Sequence, residues 1–223
     1  MLIVHHLNNS RSQRVLWLLE ELGLPYEIRH YQRDVRTLLA PPELRAIHPL
    51  GKSPVLTDDG RTIAESGAIV EYLVNVYGQG RLIPPAASDD RLRYTYWMHY
   101  AEGSLMPLLL LKLVFSRLSR PPMPLLLRPM ARAIERGVRA RLIDPQLALH
   151  MNFLEAELTR SEWFAGAEFS AADIQMSFPV EAAQKRGALR VAHQRLPRWL
   201  EVIHSRPAYR RAIERGGPYA LSS

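Results

Sequence analysis

Apolar residues recur along this chain with a spacing that changes once. Up to Tyr77, short strand-like runs alternate with helical stripes. Leu2-Ile3-Val4 is a buried-strand candidate, and His5 to Ser12 reads as a polar loop. Val15, Leu16, Leu18, Leu19 and Leu22 then share one helical face. Gly23 suits a left-handed helix end, and Pro25 stops any continuation. Tyr26 to Tyr31 alternates like a second strand. Residues 32–41 form a polar, proline-punctuated loop, and Pro42 to Ile47 suits one short helix. Pro54 to Thr57 and Thr62 to Ala64 flank Asp58-Asp59-Gly60, which predicts a tight hairpin. Pro54 stands at the first position of that strand, where a missing N–H is tolerated and a cis bond is available. Ala68, Ile69, Tyr72, Leu73 and Val76 return to helical spacing. The order β-α-β-α-β-β-α implies an α/β layer with a mixed sheet.

Beyond a Gly- and Pro-rich linker at Gly78 to Ala87, the pattern is helical throughout. A long helix is expected from Asp89 to Arg117, kinked or ended by Pro107. Arg120 to Pro124 is a break. Leu125 to Leu142 is a basic amphipathic segment interrupted by Pro129. Asp144-Pro145 reads as an N-cap followed by a first-turn proline, opening a helix through Leu158. Ser170-Ala-Ala-Asp173 has capping-box spacing, with Phe169 as a candidate hydrophobic staple. Leu196 to Ile203 and Pro207 to Arg215 complete the helices. The fold class is therefore a two-domain α+β arrangement. Residues 1–80 form an α/β domain with a mixed four-stranded sheet, and residues 88–223 form an all-helical bundle.

Composition narrows the options. The 223 residues suffice for one large or two modest cores. There is no cysteine, so disulfides, a thiol nucleophile and Cys-ligated zinc are excluded, and a reducing cytoplasm is compatible. No signal peptide or membrane-spanning run is evident, and no membrane partner is expected. The net charge of +7 favours anions, but the arginines are scattered and no nucleic-acid signature accompanies them, so no nucleic-acid partner is expected either. His5 and His6 are adjacent at a strand end and point to opposite faces, which is poor metal geometry, and no metal is expected.

Candidate chemistry gathers at two helix starts. Glu65-Ser66 places a carboxylate and a hydroxyl where the third helix begins, with unpaired N–H groups and a positive dipole end. Asn8-Asn9-Ser10-Arg11-Ser12 precedes the first helix. Ser12 there is most simply an N-cap, and Asn8 and Asn9 ordinary turn residues.

The string Pro49-Leu-Gly51-Lys52-Ser53-Pro54-Val55-Leu56, followed by Glu65-Ser66, resembles the glutathione-binding half of the cytosolic glutathione S-transferases. The β-α-β start and proline-led third strand resemble a thioredoxin-like domain, here without Cys-x-x-Cys. The resemblance spans nearly the whole chain, and its Ser/Thr-x-x-Asp box matches Ser170 to Asp173, where the family uses it for folding. It implies that Ser53, before a cis-Pro54, pairs its backbone with the cysteinyl part of glutathione, and that Glu65 and Ser66 hold the γ-glutamyl end. Lys52 would reach the glycyl carboxylate. A basic pair seen in some subclasses is replaced by Leu39-Ala-Pro-Pro42, leaving Arg36 or Arg45. The thiol-activating residue follows strand one. With no Tyr or Cys in that loop, the chain resembles the serine-type, bacterial-like members, with Ser10 first and Asn9 and Ser12 as rivals. His99, Tyr100 and Glu102 lie where the family forms the floor of its electrophile pocket, although packing or interface roles suit them as well. The implied protein is a cytoplasmic homodimer, with Leu92, Tyr96 and the turn from Tyr72 to Tyr77 as candidate contacts. It would conjugate glutathione, its cosubstrate, to a hydrophobic electrophile or reduce peroxides with it. The alternative is a non-catalytic glutathione-binding or regulatory protein on the same fold.

Overall fold

The computed structural model describes residues 1–34, 37, 39–217 and 219. Four strands form one mixed sheet in the order β2-β1-β3-β4. Strand β1 (Leu2–Leu7) is parallel to β2 (Tyr26–Tyr31) and antiparallel to β3 (Val55–Asp58), which pairs with β4 (Arg61–Ala64). A parallel pair needs a crossover, and helix α1 (Ser12–Leu22) provides it. Helix α2 (Pro42–Ile47) precedes β3, and α3 (Ser66–Tyr77) follows β4. Asp59 and Gly60 turn the hairpin with φ of 44° and 86°, the positive pair that a two-residue turn requires. Pro54 lies just before β3 rather than on it, and the Ser53–Pro54 bond is cis.

Strand β1 extends beyond its apolar run. The expected loop from His5 is strand as far as Leu7, because both histidines are buried with polar partners. His5 bonds Tyr31 Oη at 2.9 Å and Thr57 Oγ1 at 3.0 Å, so neighbouring strands satisfy its ring.

The helical part contains α4 (Asp89–Tyr100), α5 (Met106–Arg117), α6 (Arg128–Val138), α7 (Asp144–Arg160), α8 (Ala171–Lys185), α9 (Arg195–Ser205) and α10 (Pro207–Gly216). Pro107 does not end its helix. A π-helical turn, Ala101–Leu105, joins α4 to α5 directly ahead of it. A second π turn, Arg139–Ile143, joins α6 to α7 ahead of Pro145. A proline lacks an N–H and crowds the carbonyl four residues back, and the wider turn accommodates both defects. Asp144 is consequently not an N-cap. Its backbone is helical, and its carboxylate meets Lys112 at 3.2 Å and Arg139 at 3.4 Å. Pro129 likewise interrupts nothing, since it stands in the first turn of α6.

Helix α8 is the centre of the core, buried continuously from Ala171 to Ala183 and packed on α1, α3, α4 and α9. Its capping box forms as the sequence predicts. Ser170 accepts from the Ala172 N–H, and Asp173 accepts from the Ser170 N–H at 3.0 Å. The other Asp173 oxygen accepts from the Phe164 N–H at 3.0 Å, which pins the preceding loop. Burial raises the Asp173 carboxyl to about 6, against the pull of these donors. Phe169 packs on Trp17 and Trp163, with ring centroids 5.6 and 5.0 Å away.

Asp173→Ala keeps the Ser170 cap but leaves the Ser170 and Phe164 N–H groups unpaired, at about 1–3 kcal/mol each. The expected loss is roughly 2–6 kcal/mol, read as a lower urea midpoint at unchanged slope. A midpoint within error of the parent would contradict this role.

Candidate active site

The register of the sheet brings three loops to one end of it. Val55 pairs with Ala64, so Ser53-Pro54 and Glu65-Ser66 leave the β3–β4 hairpin side by side. Strand β1 runs antiparallel to β3 and ends at the same edge, where the chain turns through Asn8, Asn9 and Ser10 into α1. Ser53 joins the two loops. Its hydroxyl donates to the His5 carbonyl at 2.9 Å and accepts from the Leu7 N–H at 3.2 Å.

A chain of hydroxyls runs inward from there. Ser10 Oγ lies 3.3 Å from Ser53 Oγ and 2.7 Å from Ser12 Oγ, and Ser12 Oγ lies 2.8 Å from His6 Nδ1. Burial, with repulsion from His30, lowers His6 to about 4, so the ring is neutral near pH 7. Ser12 Oγ and His6 Nδ1 share one hydrogen bond, and the Gly216 backbone stands close to the same ring. Ser10 donates to Ser53 Oγ, whose own proton goes to the His5 carbonyl, and accepts from the Ser12 N–H at 3.3 Å. Ser12 is fully buried and sits inside the first helical turn with its hydroxyl on His6; it does not cap the helix. Asn9 is exposed, with φ at 51°, and Asn8 Oδ1 accepts from the Arg33 N–H at 2.9 Å.

At the second helix start, Ser66 is buried and Glu65 is exposed, with φ at 72°. Such a conformation is uncommon for a glutamate and concentrates at functional loops. Lys52 is exposed beside Gly51. The aliphatic part of Arg45 crosses Gly51 so closely that a Cβ there would stand 2.7 Å from Arg45 Cγ. Lys52 and Arg45 therefore lie together, whereas Arg36 lies outside the described residues.

Charge gathers at the mouth of α1. Arg11 Nε bonds both carboxylate oxygens of Glu102 at 3.0 Å, and Arg14 reaches the same carboxylate. Arg14 is buried, donates to the Gln175 carbonyl at 2.7 Å and, like Arg11, lies over the Phe178 ring. Burial works against the Glu102 carboxylate, but Arg14 and Arg11 outweigh it and hold the group below its ordinary value. Arg33 and Arg186 are both lowered, first by burial and then by Arg11, so that with Arg14 four guanidinium groups lie within electrostatic reach at this mouth.

Residues 10–76 match the model of the glutathione S-transferase N-terminal domain. Over 218 residues the chain is 40% identical to glutathione S-transferase 3 of Schizosaccharomyces pombe, covering 96% of this chain and 88% of that one. The chain belongs to the glutathione S-transferase family. Glutathione S-transferase 1 of Saccharomyces cerevisiae is 32% identical over 220 residues, with 95% and 94% coverage. A glutathione S-transferase crystal structure from Actinobacillus pleuropneumoniae matches with a TM-score of 0.81 at 32% identity, covering 99% of this chain and 94% of that one. The thioredoxin-like sheet domain and helical domain are those of the family.

Of the residues expected near an electrophile, Tyr100, the last residue of α4, is buried against α7, its hydroxyl on His150 and its ring among Trp97 and Phe153. His99 is exposed. Glu102 meets the start of α1 through Arg11 and Arg14. Sequence reasoning missed His6 and Arg14 as site residues. The signals were present: His6 continues the inward alternation of Leu2 and Val4, and Arg14 interrupts an apolar helical face. Among the described residues, no group of three or more His, Asp or Glu side chains could hold a metal ion.

The His6 ring also leaves a pH signature. Its folded pKa, about 4, lies below the ordinary 6.5, so the unfolded chain takes the proton first on acidification. Stability from this group is complete above about 6.5 and falls as pH drops toward about 4, by on the order of 3 kcal/mol. His6→Gln keeps a polar contact and cannot charge, so its stability should fall less than wild type over that interval. Parallel profiles from urea unfolding at several pH values would refute the assignment.

Proposed function

We propose that this protein is a glutathione transferase whose tripeptide lies across the three loops at one end of the sheet. The observation that carries the reading is their convergence: Ser53 is hydrogen-bonded to β1, in contact with Ser10, and paired through the hairpin with Glu65-Ser66. In this reading the backbone of Ser53, before Pro54, pairs with the cysteinyl unit. Glu65 takes the γ-glutamyl amine, and the Ser66 hydroxyl with the first N–H groups of α3 takes its carboxylate. Lys52, with Arg45 beside it, faces the glycyl carboxylate. Glutathione is a cosubstrate, and no metal has a part. The reaction is thiolate attack on an electrophilic carbon, with peroxide reduction as a second thiol-dependent activity.

The chemical demand is an ionised thiol near neutral pH. The positive end of α1 and the guanidinium groups around Arg11 favour a thiolate. Ser10 is the donor assigned to the sulfur. Its proton turns from Ser53 to the thiolate, exchanging a neutral hydrogen bond for a charge-assisted one. Ser12 acts through Ser10 by holding its oxygen with backbone and hydroxyl contacts, and Asn9 shapes the turn. The reading carries a cytoplasmic homodimer with it. Leu92 and Tyr96, 75% and 47% exposed on α4, are its candidate contacts, whereas the hydroxyls of Tyr72 and Tyr77 both donate to Asp58 of their own chain.

The test is an ultraviolet titration of the bound thiol. A hydrogen bond to a charged group is worth about 1.5–3 kcal/mol, and about 1 of that is already spent on Ser53. Ser10→Ala should therefore raise the bound thiol pKa by about one unit, with little change in glutathione affinity and with turnover recovering at alkaline pH. Glu65→Gln with Ser66→Ala should do the reverse, raising KM strongly and leaving the bound thiol pKa in place. An unmoved titration in Ser10→Ala removes Ser10 as the donor. An unchanged KM in the folded double variant removes the γ-glutamyl subsite.

A further inference from the structure

The segment from Arg117 to Ile143 has no part in the site described above, yet it concentrates the charge of the protein. It holds seven arginines and one glutamate, a net of +6 in a chain of net +7. It also carries the most exposed cluster of large apolar side chains. Leu125, Leu126 and Leu127 are 72%, 93% and 46% exposed, and Met130 and Ile134 follow at 59% and 47%. On α5, which leads into this tip, Leu110 and Val114 are also exposed, four residues apart.

We propose that the tip joining α5 to α6 seats peripherally on an anionic lipid bilayer. Met130 and Ile134 form one exposed strip of α6 and Arg132 and Arg136 another, while Ala131 on the remaining side is buried. Apolar and cationic faces on one helix are the pattern of interfacial helices, whose apolar side chains enter the headgroup boundary by about 5–10 Å. Arginines beside them gain from the negative surface potential. The inference is of seating on the surface, since among the described residues no helix is long and apolar enough to cross.

The geometry of the leucines separates a bilayer from other occupants. Leu125–Leu127 form a 3-10 turn, so consecutive side chains radiate about 120° apart. A protein groove covers one face of such a turn; a fluid apolar phase accepts all three. A nucleic acid would neutralise the arginines and leave the leucines in water. A second copy of this chain would bring +6 against +6. The candidate homodimer residues Leu92 and Tyr96 are also remote, about 30–40 Å from Arg117 along the same helical run. The inference does not rest on the glutathione reading.

The test is co-sedimentation of the full-length protein with vesicles of phosphatidylcholine, alone or with about a third phosphatidylserine. Binding to the anionic vesicles should be at least about tenfold stronger and should weaken as salt rises from about 0.05 to about 0.3 M. Leu125→Asp with Leu126→Asp should reduce it at least about tenfold, and so should Arg132→Glu with Arg136→Glu. All four side chains are exposed, so melting temperature and turnover in solution should hold. Leu126→Ser replaces the leucine pair should that variant unfold. Equal or absent binding to the two compositions overturns the proposal, as does a leucine variant that binds like wild type. Two further results overturn it by naming another occupant: leucine variants that shift the sedimentation of the free protein, which points to a second copy, or duplex DNA held more tightly than vesicles whatever the leucines.

Discussion

The burial of one guanidinium, Arg14, constrains everything around the site. An arginine stays charged, and a buried charge is tolerated only with close, well-oriented partners. Glu102 and the Gln175 carbonyl are those partners, and both belong to the helical domain. The carboxylate sits in the π turn that also admits Pro107, so a local relief of helix geometry coincides with the contact between domains. At the other end of α1, Glu20 meets Arg211 and Arg215, and Glu21 meets Arg206, at 2.6–2.9 Å. Helix α1 is thereby gripped along its length by the π turn after α4, by α8 and by α10, and its first turn, beside the proposed thiol donor, is fixed.

That placement turns ordinary loop residues into a site. Ser10, Ser12, Ser53 and His6 are unremarkable singly, but a fixed α1 and a fixed sheet edge leave their polar atoms with few alternatives. His6 stays neutral because it is buried, and its ring anchors the hydroxyl chain behind Ser10 through Ser12. Gly216 completes the arrangement from α10. A Cβ there would lie 2.7 Å from Leu16 Cδ1 and 2.9 Å from Gln13 Oε1, so its absence lets the backbone come up to the His6 ring without displacing either side chain. The C-terminal helix thus supports the first helix and the first strand together, and the site belongs to the two-domain unit rather than to the sheet domain alone.

Features with local causes were legible in the sequence. The Asp59-Gly60 hairpin, the Ser170 to Asp173 capping box and the Gly23 helix end each follow from turn or cap chemistry within a few residues. The family resemblance added the roles of Ser53, Glu65 and Ser66, which the bare pattern supports only as an anion-binding helix start. What escaped were features decided at long range. Strand β1 continues through two histidines because Tyr31, Thr57 and Ser12 satisfy them from elsewhere. The pattern suggests a kink or end at Pro107, an interruption at Pro129 and a fresh helix start at Asp144-Pro145, yet π turns absorb the first and last and a first helical turn takes the middle one. A π turn has no periodic signature, and an ion pair between Arg14 and Glu102, 88 residues apart, has none either.

The central claim is that these loops bind glutathione as a thiolate. Calorimetry of glutathione binding near neutral pH, repeated in buffers of different ionisation enthalpy, counts the protons released on binding. The account predicts release of about one proton per bound glutathione, and none with S-methylglutathione bound at the same site. Tight binding of glutathione without proton release would contradict it.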